Sequence, residues 1–424
     1  MSGLSHIFRA LKHKNFRLFF IGQSVSLSGT WMQNIAVSWL AYELSGSAFI
    51  LGVVAFSTQV PTFILGPFMG VIADRLDRRK IILFTQTMAM LQAFILAALT
   101  LSGHIKVLEL AVLGAFLGCL NSLDIPARQS FLIEMVEGKD DLGNAIALNS
   151  LIFSSARLIG PSIAGILIAL VGEGMCFLIN GASYLAVIAA LLAMNVKPAK
   201  PAAKRRHIIA ELKEGLRYID RIPPMKGLIA MAGVISLMGI SYVVLLPVFA
   251  KEILGGNAQT LGVMMAAAGC GALAATGYLA SRKNVSGLDR LIPMSAILFS
   301  SMLVVFSLSN NLIVSLILLA VIGFGAVVFL SSTNIILQTI VDDDKRGRVM
   351  SIYSMAVIGT VPFGNLLAGL LASRIGVVAT LDIVGAVCVL AALVFLKKVL
   401  KAEDIITKAH LGQKAIPKEA IEAR

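Results

Sequence analysis

The stretch Gly70-Val71-Ile72-Ala73-Asp74-Arg75-Leu76-Asp77-Arg78-Arg79-Lys80 joins two long apolar runs, 47–72 and 81–100. Four of its last six residues are cationic (Arg75, Arg78, Arg79, Lys80), and Asp74 and Asp77 are interleaved with them. A turn that only had to be solvated would need charge, but not this alternation of sign behind the small residues Gly70 and Ala73. The flanking runs reach the roughly 20 residues that cross a bilayer as a helix. The stretch therefore reads as a charged hinge between two membrane helices.

Composition agrees. Of 424 residues 58% are apolar and 14% charged, whereas soluble domains carry about 25% charged residues. Twelve apolar runs of spanning length follow one another: 17–42, 48–73, 79–101, 107–127, 144–171, 174–195, 226–250, 258–281, 290–308, 311–338, 347–373 and 376–397. Lipid leaves no partner for bare backbone, so runs of this length must be helices. The expected class is an all-α membrane protein. The first run, with no small-residue cleavage site behind it, reads as a retained span and not a signal peptide.

The net charge of +13 is distributed over loops. Segments 1–17, 74–80, 127–143, 196–226, 281–290, 342–348 and 396–424 hold 32 of the 36 Lys and Arg. Lys106, Lys251 and Arg374 fall in the opposite loops, and Arg157 lies inside a run. This bias predicts cytoplasmic termini and a cytoplasmic 74–80 turn, and it excludes a nucleic-acid face, which would gather charge in one place. The four cysteines (Cys119, Cys176, Cys270, Cys388) lie in separate runs, and the five histidines all lie outside them. No disulfide framework, metal-ligand spacing, phosphate loop or nucleophile–His arrangement can be drawn from these residues. No enzyme activity, metal or cofactor is expected.

The runs divide into an N-terminal six-helix bundle (1–195), a cytoplasmic linker (196–225), a C-terminal six-helix bundle (226–399) and a cytoplasmic tail (400–424). Within the linker Ile208, Ile209, Leu212, Leu216 and Ile219 recur at helical spacing opposite Lys213, Glu214 and Arg217. Such a helix either couples the halves from the membrane surface or simply rests on anionic lipid. An internal repeat relates the halves. A shift of 204 lays Asn144–Leu151 on Arg348–Met355, Gly160 on Gly364, Gly165 on Gly369 and Gly172 on Gly376. A shift of 207 lays Gly70, Ala73 and Arg75 on Gly277, Ala280 and Arg282, with Ser281 where Asp74 stands.

The 70–80 stretch resembles the loop G-x-L-A-D-R-x-G-R-R-K of the major facilitator superfamily. Gly70, Ala73, Asp74, Arg75, Arg78, Arg79 and Lys80 match it, while Ile72 stands for Leu and Asp77 for the second Gly. Asp accepts a left-handed turn better than most residues, so the bend is expected to survive. Five further stretches are similar to the transmembrane secretion effector branch, which includes enterobactin-exporter-like proteins. They are Asp124-Ile-Pro-Ala-Arg-Gln-Ser-Phe131, Asn144-Ala-Ile-Ala-Leu-Asn-Ser150, Ala156-Arg-Leu-Ile-Gly-Pro161 with Ala164-Gly165, Cys176-Phe-Leu-Ile-Asn-Gly-Ala-Ser-Tyr184, and Gly29-Thr-Trp-Met-Gln33. The resemblance implies the major facilitator fold, twelve spans in two pseudo-symmetric bundles of six, with cargo bound between them.

It also implies site residues. Gly70, Asp74, Arg75, Arg78 and Arg79 would form an inner latch, with Asp74 toward the start of span 11 and Arg78 paired with an acid low on span 4, here Asp124. Gly160, Pro161 and Gly165 resemble the antiporter span-5 hinge and seal, where Pro bends the helix and small residues permit close packing. Arg157 is an intramembrane cation, a functional hypothesis by default; Asp124 and Asp382 are its acidic companions, or else Asn149 or a backbone carbonyl holds it. Drug antiporters carry an Arg where Gly114 stands and often an acid in span 1. Both are absent here, so Asp124, Arg157 and Asp382 become the coupling candidates. Trp31, Gln33, Asn34, Asn149, Tyr242, Asn334 and Asn365 are candidate cavity contacts, against the alternative of helix–helix hydrogen bonding.

The function expected is secondary active export of small amphipathic molecules (siderophore, drug or metabolite), driven by an ion gradient, with protons as the partner ion. A lipid or lysophospholipid transporter on the same fold is the alternative, and a transport-inactive sensor or scaffold is the third reading. The expected setting is the bacterial inner membrane, in contact with lipid, as a monomer.

Overall fold

The computed structural model of the protein describes residues 8–136, 141–196, 208–282 and 287–400, so the expected tail beyond 400 and part of the linker lie outside the described residues. Six spanning helices come first: α1 (Lys14–Ser45), α2 (Ala48–Ala73), α3 (Arg78–Leu101), α4 (Val107–Glu134), α5 (Leu142–Val171) and α6 (Glu173–Ala193). The linker helix α7 (Ile208–Asp220) precedes α8 (Pro223–Ile253), α9 (Ala258–Ser281), α10 (Leu288–Ser307), α11 (Leu312–Ile340), α12 (Arg346–Ile375) and α13 (Val377–Leu400). Among the described residues there is no strand, and eleven helices are long and apolar enough to cross a membrane. The remaining spanning candidate, α1, is 32 residues long. Its stripe of Gln23, Ser24, Ser26, Ser28, Thr30, Gln33 and Asn34 makes it the most polar of the set.

Local chemistry sets the breaks. Gly172 and Gly376 have φ of +79° and +82°, a backbone that residues with a Cβ rarely adopt. Each ends one helix and begins the next, α5 into α6 and α12 into α13, as the 204-residue repeat requires. α8 is interrupted by two π-helical turns, Ile235–Gly239 and Phe249–Ile253, and α12 by a break after Val357.

The chain divides into two compact units. One comprises Met1–Lys204 with Pro247–Ala266, and the other Arg205–Leu246 with Ala267–Arg424, as far as these are described. In the first, α1 packs on α5 and α6, α3 on α4 and α6, and α2 along α4. In the second, α10 packs on α11 and α13, and α8 on α12 and α13. Under the repeat, four of the five pairs in the first unit have their counterpart in the second. Gly160 lies where a Cβ would meet the Ser28 carbonyl at 2.9 Å, on the first helix of its half. Gly364 likewise sits against the Leu237 carbonyl of α8. Helix backbones in lipid approach this closely only over small residues.

The linker helix is docked, not floating. Glu214 accepts from Lys345 at 2.7 Å and Arg348 at 2.6 Å, and the Tyr218 hydroxyl donates to Asp342 at 3.0 Å. Its hydrogen bond with Lys345 holds the Glu214 carboxyl below the usual range and raises the Lys345 ammonium. Ile219 is 5% exposed. The polar face, through Glu214, binds the start of α12.

Replacing Gly364 with Val forces atoms into a backbone carbonyl that cannot yield, and overpacking of this kind costs about 1–3 kcal/mol. The variant should melt several degrees below wild type in detergent. Gly277→Val, which meets open space, should melt with wild type.

Candidate functional site

The charged hinge is built as an N-cap. Asp77 has extended backbone (φ −63°, ψ 109°) and its carboxylate accepts from the Lys80 backbone N–H at 3.3 Å. No non-glycine residue has positive φ among those described. The bend thus survives the loss of the second Gly through Asp capping of α3, not through a left-handed turn. Arg79 donates to the Leu191 and Leu192 carbonyls at 2.8 and 3.1 Å, closing the C-terminal end of α6, where a cation is favoured. Arg78 reaches two acids, Glu134 at the end of α4 and Asp74 at 3.8 Å. Arg75 is exposed, and open space surrounds Gly70.

The pairing expected from the resemblance is therefore corrected: Arg78 binds Glu134, not Asp124. The apolar run seemed to end at 127, but α4 continues to Glu134 through Pro126. Seven more helical residues carry Glu134 to the hinge.

Asp124 is 3% exposed and held inside the first unit. It accepts from Thr85 Oγ1 at 2.7 Å and Gln86 Nε2 at 2.9 Å, and it pairs with Arg128 at 3.2 Å. These residues line a small polar cavity of about 50 Å³ with Gln23, Ser26, Thr30, Asn121 and Tyr184. Gln23 Oε1 and Gln86 Oε1 are buried and without hydrogen-bond partners among the described residues. A polar space of this size suits water. Arg128 was missed in sequence, although its i,i+4 spacing from Asp124 and its place in the same quoted motif were available signals.

Two of the similar motifs meet here. Gly29 of α1 rests against Asn180 and Ser183 of α6. Gln33 accepts from Asn180 at 2.7 Å and donates to Gln92 at 3.2 Å, and Thr30 and Tyr184 hydroxyls lie 3.4 Å apart. Gln33, 2% exposed, is thus a helix–helix tie and not a cavity contact. Tyr242 is corrected in the same way: 4% exposed, its ring meets Phe299 edge-on at 6.4 Å. Asn365 is 5% exposed as well. Trp31 is half-buried, Asn34 exposed, and Asn334 half-buried, accepting from Gln338.

Arg157 is exposed and sits over the Trp31 ring at 5.8 Å, so none of its expected companions holds it. Asp124 is engaged by Arg128; Asp382, in the second unit, accepts from Ser307; and Asn149 Oδ1 is buried with no partner among the described residues. Gly160, Pro161 and Gly165 are buried. A Cβ on Gly165 would meet Gly262 Cα at 3.0 Å, and one on Gly262 the Pro161 carbonyl at 2.7 Å, so α5 and the start of α9 touch backbone to backbone.

Asp141 gave no signal in sequence. It is 5% exposed, pairs with Arg9, Lys12 at 2.7 Å and His13 at 2.9 Å, and sits beside an Ala10 N–H bond to Asn144 at 2.9 Å. Its hydrogen bonds to Lys12 and His13 hold its pKa down at about 2. The segment before α1 is anchored to the start of α5 by this carboxylate. Among the described residues no group of His, Cys, Asp and Glu is arranged to hold a metal.

A double-mutant cycle separates the two assignments for Arg78. With transport rate as readout, Arg78→Gln and Glu134→Gln should each reduce activity, and the pair together should do no more harm than either alone. Arg78→Gln with Asp124→Asn should instead combine additively, as independent sites do.

Comparison with known proteins fits this geometry. A family model described as transmembrane secretion effector matches residues 5–423. The chain is 28% identical over 391 residues to the Staphyloferrin A transporter of Staphylococcus aureus, covering 91% of this chain and 97% of that one. It is 26% identical to the Enterobactin exporter EntS of Shigella boydii over 84% of this chain and 85% of that one. To the Multidrug efflux pump Tap of Mycolicibacterium fortuitum it is 25% identical, covering 83% and 88%. A solved POT family transporter superposes with a TM-score of 0.73 at 11% identity, covering 91% and 96%. A bacterial homologue of the lysosomal transporter Spinster superposes with 0.68 at 13%, covering 94% and 97%. The family match and these relatives, with the helices described above, make the protein a multi-pass membrane transporter of small molecules and not an enzyme. The chain belongs to the transmembrane secretion effector family of the major facilitator superfamily.

Proposed function

We propose that the protein is a secondary active exporter of small amphipathic molecules (siderophores, drugs or metabolites), exchanging cargo for protons by alternating access. The observation that carries this reading is Asp124, a buried carboxylate tied to Arg128, Thr85 and Gln86 beside a polar cavity. Protonating Asp124 cancels its charge and breaks its ion pair with Arg128 of α4, while Oδ1 still accepts from Thr85 and Gln86 of α3. A proton there frees the Arg128 guanidinium, and the same step in reverse recaptures it. The relatives named for staphyloferrin A, enterobactin and multidrug transport support export of amphipathic cargo.

The inner latch, in this reading, consists of Asp74, Arg78 and Glu134, with Arg75, Arg79 and Gly70 completing the hinge. Gly160, Pro161 and Gly165 act as pivot and seal. Both termini lie in the cytoplasm of a bacterial inner membrane, as the loop charges favour, and the transporter works as a monomer.

Asp124→Asn tests the coupling. In inverted vesicles the variant should lose most of the stimulation of cargo uptake by an imposed pH gradient. Asp124→Glu should keep part of it. Full stimulation in Asp124→Asn would eliminate Asp124 as the proton carrier.

A further inference from the structure

Arg157 lies at the middle of the 30-residue helix α5, roughly 20 Å from either end at the helical rise. It is exposed. A guanidinium turned to hydrocarbon at that depth is costly, which favours a polar surround for its open side. It has no ion-pair partner among the described residues. The deep acid of the same unit, Asp124, is already matched by Arg128. One net positive charge is left at mid-depth.

Its surroundings are built to hold it there. The guanidinium lies over Trp31, 5.8 Å from the ring centre, within range of a cation–π contact. Trp31 is seated against bare helix, because a Cβ on Gly160 would come within 2.5 Å of Trp31 Cβ. The guanidinium fork, which binds an oxyanion through two parallel hydrogen bonds, has no acceptor among the described residues. Asn34, exposed one turn further along α1, supplies an amide on the same side as Trp31.

We propose that Arg157, lying over Trp31, is the recognition site for a carboxylate of the transported molecule, so that the cargo is an organic anion. The assignment rests on the exporter reading and names the substrate class within it. A single guanidinium matches one carboxylate group of the cargo. A free carboxylate and a lipid phosphate share that chemistry, and the experiment separates them.

The purified full-length protein carrying Trp39→Phe keeps Trp31 as its one tryptophan, and the wild-type protein is followed in parallel by thermal stabilisation. Citrate should change Trp31 emission saturably, and its neutral trimethyl ester should not. Arg157→Gln should weaken citrate binding by about tenfold or more, the usual worth of a charged hydrogen bond, and Arg157→Lys by less. Ethidium, a cation, should bind Arg157→Gln as well as it binds wild type. The proposal is overturned if citrate binds equally to Arg157→Gln, if citrate does not bind, or if ethidium and citrate weaken together. It is overturned in favour of a lipid headgroup if lysophosphatidylglycerol displaces citrate and depends more strongly on Arg157. Binding is read without transport, so Arg157-dependent citrate binding in a protein that exports nothing would contradict the exporter reading alone.

Discussion

An ionised carboxylate within a membrane span must be matched or it will take up a proton, and the way Asp124 is matched organises the first unit. Its three donors come from two helices: Thr85 and Gln86 of α3, and Arg128 one turn along α4. Coulomb attraction is strong in such a site because little water screens it, and desolvation is costly for the same reason. The pair is therefore poised, in that losing the charge on one partner leaves the other stranded. The proton coupling proposed above needs that instability from a buried group, and it separates Asp124 from the acids at the hinge.

Around this centre the two halves repeat a single packing solution. Gly160 against α1 and Gly364 against α8 place the fifth helix of each half on its first. Gly172 and Gly376 turn the chain at the same point of each repeat. Where the halves differ, the difference falls at charged or irregular places. The hinge acid Asp74 has become Ser281, and α8 carries π-helical turns with no counterpart in the unbroken α1. Interruptions of this kind often mark functional sites. The segment Pro247–Ala266, which begins between the two π turns of α8, packs within the first unit, with Tyr42 bonded to Glu252 and Lys251 over Trp39 at 5.8 Å.

Helix placement was legible in the sequence because lipid fixes a length and forbids bare backbone. The runs 48–73 and 258–281 match α2 and α9 at both ends. Side-chain partners were less legible. Arg78 was expected on Asp124 because the resemblance calls for an acid low on span 4 and the apolar run stops at 127, and hydropathy does not report a helix that continues into charge. Glu134 and Asp141 went unread for that reason: each gains its meaning from a residue more than 50 positions away. The polar stripe of α1 was visible, but its division into ties (Gln33), cavity lining (Gln23) and exposed amide (Asn34) depends on helix rotation, which periodicity alone leaves open.

The claim that most of this account depends on is that Asp124 gives up and regains a proton as cargo comes and goes. Infrared difference spectroscopy of the purified transporter, recorded with and without cargo, reads that event at the carboxyl group itself. The account predicts a change in carboxyl absorption on cargo binding in the wild-type protein that is missing from Asp124→Asn. The same band change in both proteins would contradict it.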